Sequence, residues 1–127
     1  KMELWQKALP NMRTPIRKTL FVNEILPNNM VATSGMNALA FYTDLNGDRQ
    51  KPHAINYIFF KELEKEVGVR EKSLYDGDYK VELWRYDPLV LTETEFVDPL
   101  SLYITYKESK DERIEMALEQ IMEQIKW

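Results

Sequence analysis

The residues best placed to do chemistry lie in the stretch DGDYKVELWRYDP, Asp76 to Pro88. Asp76 and Asp78 stand on a turn signal, and Glu82 falls inside the alternating run that follows. Many metal-dependent nucleases are built this way: acids on a turn and on the next strand hold magnesium, and a nearby lysine steadies the attacking hydroxide. Trp84 occupies the position where that lysine would stand, and Arg85 points to the other face of the strand. A metal-dependent, nuclease-like enzyme using Asp76, Asp78 and Glu82 is therefore the alternative reading. The leading one is a turn entering a half-buried strand, with Glu82 facing water.

Other constellations are weaker. Asp44, Asn46 and Asp48 are spaced as in calcium loops, but such a loop needs glycine at its sixth position and glutamate at its twelfth. Arg49 and Ile55 stand there. His53 is the only histidine and there is no cysteine, so thiolate and multi-histidine metal sites are excluded and no cofactor is implied. His53 reads as a surface residue. Tyr79, Lys80, Arg85 and Tyr86 interleave aromatics with bases, as single-strand nucleic-acid binders do. No long basic stripe accompanies them. With four glycines in the chain, there is also no glycine-rich phosphate loop.

The chain as a whole narrows the classes. Its 127 residues suit one domain, 1–127, able to bury a real core. Acids outnumber bases 21 to 17, a formal charge of −4, which argues against gripping a phosphate backbone unaided. No apolar run is long enough to span a membrane, and KMELWQKALP does not resemble a signal peptide. A cytoplasmic protein is expected.

The elements that must position these residues follow from periodicity and capping. Met2–Leu9 has a helical stripe stopped by Pro10, and Arg17–Val22 reads as a strand. Glu24–Asn29 reads as a loop. Thr33 or Ser34 supplies a hydroxyl cap for a helix carrying Met36, Leu39, Ala40 and Tyr42, ended by the Asn46-Gly47 turn. AINYIFF, 54–60, reads as a strand with Ile55, Tyr57 and Phe59 on one face, and KELEKEVG as a short helix stopped by Gly68. A turn at Tyr75–Asp78 leads into the strand Tyr79–Tyr86, with Lys80, Glu82, Trp84 and Tyr86 on one face. Asp98-Pro99 has the order of an N-cap and first helical residue, opening a helix over LSLYITYK. Ser109 and Glu112 suggest a capping box before an amphipathic helix with Ile114, Ala117, Leu118, Ile121, Met122 and Ile125 on its apolar side. The expected fold class is α/β (α+β): a small mixed sheet of three or more strands packed by helices, with a C-terminal amphipathic helix.

The ordered segments LPNMRTPIRKTLFV, SGMNALAFYTDL, ELWRYDPLVL and VDPLSLYITYKESKDERIEMALEQI resemble the C-terminal region of AbiEi-like antitoxins. These are bacterial regulators of type IV toxin–antitoxin systems. The strongest parts are Ser34-Gly35 with Ala38, and a tail in which Asp98-Pro99 is followed by a helix, a polar break with Asp111 and Arg113, and a last helix. The resemblance implies a non-enzymatic antitoxin or regulatory domain whose partner is a protein, either a nucleotidyltransferase-like toxin or a second copy. DNA would be bound only through an N-terminal winged helix absent from this chain. A start at Lys1 suits that expectation; a stand-alone protein-interaction domain is the further alternative. The residues expected to meet the partner are Trp84, Arg85 and Tyr86, with the polar face of the last helix as a second candidate.

Overall fold

Four segments of this chain combine β-prone residues with an alternation that two covered faces can use, and they pair into one sheet. A computed structural model describes residues 7, 12–47, 51–66, 68 and 79–125. The strands are β1 (Ile16–Val22), β2 (Val31–Thr33), β3 (His53–Asn56) and β4 (Tyr79–Trp84), in the order β1-β4-β3-β2. β4 runs antiparallel to β1 and parallel to β3, and β2 is antiparallel to β3. The helices are α1 (Gly35–Tyr42), α2 (Tyr57–Glu66), α3 (Pro99–Tyr106) and α4 (Glu112–Gln124). The mixed sheet packed by helices, with the amphipathic helix at the C-terminal end, is the expected architecture.

Strand side chains alternate between faces, and here both faces are covered. Leu20, Val22, Val31, Ile55, Val81 and Leu83 form one core with Phe60 and Leu63 of α2. Ala32, Ala54 and Trp84 form the other, beneath Ala38 and Leu39 of α1, Leu102 of α3, and Leu118 and Ile121 of α4. A β-bulge lies between Ile16 and Lys18, where two steps of β1 span one step of β4. The extra residue is Arg17, and it inverts the parity of the strand. Ile16 consequently packs into the Trp84 core, while Leu20 and Val22 pack into the opposite one.

The structure departs from the sequence reading at several element ends. AINYIFF is not one strand: β3 stops at Asn56, whose Oδ1 accepts from the Ile58 amide at 2.9 Å, and α2 begins at Tyr57. Tyr57, Phe60 and Leu63 carry helical spacing that the continuous apolar run conceals. β2 is a three-residue strand that was not expected. β4 ends at Trp84 rather than Tyr86, because the Arg85 amide turns to the Pro15 carbonyl at 2.8 Å. Ser34 is the N-cap of α1, yet its hydroxyl does not cap. The α4 cap is Asp111, accepting from the Arg113 amide at 2.9 Å, so the Ser109–Glu112 box does not form. Asp98 and Pro99 behave as expected, with the Ser101 amide donating to Asp98 Oδ2 at 2.9 Å. The expected helix over Met2–Leu9 and the turn at Tyr75–Asp78 fall outside the described residues, apart from Lys7.

Gly35 makes the turn from β2 into α1 possible. Its φ is +63°, and a β-carbon there would lie 2.6 Å from Pro52 Cγ. Gly68 has a similar φ of +74° but, among the described residues, nothing within 4 Å of the equivalent position. Gly35→Ala should therefore combine left-handed backbone strain of about 1–2 kcal/mol with an overpacking cost of similar size. Gly68→Ala should show the strain alone. Urea denaturation of the two variants checks this, and equal losses would contradict the close approach of Pro52.

Candidate functional site

Glu82 is the one acid of the expected metal set that the structure describes; Asp76 and Asp78 fall outside the described residues. It does not face water. It is 5% exposed, in the middle of the central strand, on the face that α1, α3 and α4 cover. The parity that carries Trp84 into that core carries Glu82 with it. Its Oε1 accepts from the Trp84 indole Nε1 at 3.1 Å. Burial raises the Glu82 carboxyl above its ordinary value, and the hydrogen bond from Trp84, the nearby Ser34 hydroxyl and the charge of Lys80 only partly offset this. Ser34 lies close enough to ease the burial, but its fully buried Oγ makes no hydrogen bond of ordinary geometry among the described residues.

Further polar groups occupy this helix-facing layer. Asp98 is 4% exposed; its Oδ2 caps α3, and no donor among the described residues reaches its Oδ1. The Tyr86 and Ser101 hydroxyls are hydrogen-bonded to one another, and Tyr42 donates to the Val97 carbonyl at 2.9 Å. Burial is the main cause holding both tyrosines above their ordinary pKa, and the Asp98 charge adds to it. Among the described residues, no three acidic or imidazole side chains gather where they could share an ion. A carboxylate already paired with an indole beneath three helices is poorly placed to offer a metal an open coordination position.

The three residues expected to meet a partner separate. Trp84 is 1% exposed and belongs to the core, with its ring edge-on to Tyr86 at 5.5 Å. Tyr86 is half-buried, and only Arg85 is exposed. On the last helix Glu115, Glu119 and Glu123 face solvent, whereas Gln120 and Gln124 bond Asp44 and the Tyr42 carbonyl. That pairing holds the connection after α1. Of the calcium-like set, Asp44 makes this contact and Asp48 falls outside the described residues. His53 is half-buried rather than a free surface residue; burial first, and then the charge of Lys51, lowers its pKa. Tyr79 packs against the α2-side core, away from Tyr86, so the stacking set is not brought together.

The connection from Arg85 to Phe96 is the feature that residue-by-residue reading missed. Val90 is 72% exposed and Leu91 54% exposed, although the connection itself is firmly held. Asp87 accepts from the Leu89 amide at 3.0 Å through its side chain and from the Val90 amide at 3.2 Å through its carbonyl. Pro88 is fully buried. Thr92 and Thr94 bond one another, and the Phe96 amide donates to Thr94 Oγ1 at 3.1 Å. The signal was present: an apolar LVL run between Pro88 and a polar TETE stretch is out of place in a solvated turn. Comparison with known protein families, curated proteins and solved structures finds no match for this chain.

The raised Glu82 pKa fixes the sign of a pH effect. A carboxyl held above its unfolded value makes the folded state bind protons more readily. Its contribution is fully present below the unfolded value near 4.5 and is lost as pH rises through the folded value. Glu82→Gln should remove that slope. Its urea midpoint should exceed the parent's by more at pH 8 than at pH 4. A difference independent of pH would mean that Glu82 is not held this way.

Proposed function

We propose that this chain is a non-enzymatic recognition domain of a bacterial regulator of the AbiEi type, and that it docks a partner protein through the Arg85–Leu91 connection. The supporting observation is a pinned loop that exposes two aliphatic side chains beside an exposed arginine. Ordering a loop on binding costs free energy, so apolar residues on an already fixed loop bind more effectively than the same residues on a floppy one. Arginine is enriched among residues that dominate protein interfaces. The partner would be a nucleotidyltransferase-like toxin or a second copy of the chain, met in the cytoplasm. DNA contact would belong to a separate winged-helix domain.

The family assignment rests on the ordered segments quoted above. The recognition role also rests on the loop. No helix among the described residues is long and apolar enough to cross a membrane. The buried, indole-paired position of Glu82 gives the nuclease-like alternative no support.

Sedimentation of the chain, alone and co-expressed with the product of the adjacent reading frame, tests the proposal. Val90→Asp and Arg85→Ala should each weaken the complex by about tenfold or more. Both replace exposed side chains, so the urea midpoint should hold to within about 0.5 kcal/mol of stability. Complexes that survive both substitutions unchanged would rule this loop out as the docking surface.

A further inference from the structure

We propose that Arg17 and Lys61, which converge on the ring of Tyr57, form a clamp for a carboxylate in an acidic segment of the partner protein. The inference deepens the recognition reading above and rests on it for the partner being a protein. Ile16, Trp84 and Asn56 lie in one row across β1, β4 and β3. Each is followed by a residue that leaves the regular ladder. Arg17 is the bulge residue, the Arg85 amide turns to the Pro15 carbonyl, and Tyr57 opens α2. The Arg17 guanidinium carbon sits 4.3 Å from the Tyr57 ring centroid. Lys61 is one helical turn beyond Tyr57, and its Nζ is 5.6 Å from the same centroid. The two charges therefore lie no further apart than those two distances laid end to end. Arg85 is exposed at the same end of the sheet.

Charge and surroundings select the occupant. Among the described residues, no acid forms an ion pair with Arg17, Lys61 or Arg85. The nearest acids in sequence do not neutralise them: Asp87 accepts from the Leu89 amide, and Glu62 and Glu64 of α2 make no ion pair with Lys61. An aromatic face attracts a guanidinium through its charge and leaves the N–H fork to bond a carboxylate in two places. Two cations already gathered at one ring cost less to order than two separate ones, which favours binding. The formal charge of −4 opposes this only weakly, because charges more than about 8 Å away are screened at physiological salt. A nucleic acid fits less well. Single-strand binders offer open aromatic faces to the bases, whereas the Tyr57 ring is approached by two cations. The exposed apolar residues here are aliphatic: Ile58, next to Tyr57, is 49% exposed, and Val90 and Leu91 follow Arg85 on its connection. Cations among aliphatic side chains suit a protein segment that carries acids together with an apolar residue.

The test uses the isotopically labelled full chain and two capped hexapeptides, one alternating glutamate with leucine and one alternating glutamine with leucine. The glutamate peptide should produce saturable amide shifts centred on Arg17, Tyr57 and Lys61, and should bind about tenfold more tightly than its glutamine counterpart. Lys61→Gln alone should lower that preference, and Arg17→Gln with Lys61→Gln should erase it while the other amides keep their folded positions. Shifts that never saturate, equal affinities for the two peptides, or a preference that survives these substitutions overturn the clamp. A single-stranded oligothymidylate that saturates the same amides and displaces the peptide overturns it as well, making this end of the sheet a nucleic-acid face. Val90→Asp separates the clamp from the loop reading, because it should weaken partner assembly and leave the preference for glutamate unchanged. Intact assembly in the double variant overturns the clamp as a partner contact while the loop reading stands.

Discussion

The double pairing of β4 is the constraint on which the rest of the structure depends. This six-residue strand is hydrogen-bonded to β1 on one side and to β3 on the other, and its side chains feed both cores in turn. Val81 and Leu83 must face α2 if Trp84 is to face α1, α3 and α4. A slip of one residue would exchange every one of these side chains between the two layers. Such a slip would also carry Glu82, together with the Trp84 indole that donates to it, away from the Ser34 hydroxyl. The register therefore fixes the polar chemistry of the interior together with its packing.

That interior chemistry explains why a carboxylate survives next to a tryptophan. Burying an acid without partners is unfavourable, and the Trp84 indole and the Ser34 hydroxyl offset part of that cost. Asp98, Ser101 and Tyr86 continue the polar seam toward α3, where capping the helix and anchoring the end of β4 become one task. Within the seam Trp84 donates to Glu82, Tyr86 and Ser101 bond one another, and Asp98 caps α3. The docking surface proposed above lies outside it, on the connection that follows β4.

How much of this was legible in the sequence differs with the physical signal. β1, α3 and α4 were readable because alternation, the Asp98-Pro99 pair and a long apolar stripe each point to one conformation. The 54–60 run was misread because continuous apolar residues fit a strand and a buried helix equally, and a single Asn56 side chain decides where one becomes the other. β2 was invisible because three residues carry too little pattern to register. Glu82 was expected in water because alternation marks which residues share a face without saying whether the second face is covered. The burial of Trp84 was open for the same reason, and Arg85 alone kept its expected exposure.

The bulge at Arg17 has a consequence for how this sheet meets other chains. The outer strands of an open sheet present main-chain donors and acceptors that can recruit a foreign strand. Here the outer side of β2 is already occupied, since the Thr33 amide donates to Glu95 and the Thr33 carbonyl accepts from Val97. At the opposite margin, the bulge breaks the regular spacing of β1, and exposed Arg17 and Lys18 follow one another there. A bulge and paired cations are the features that make such a margin a poor template for strand-by-strand growth. The sheet can therefore keep a seven-residue outer strand at this margin without inviting fibrous aggregation.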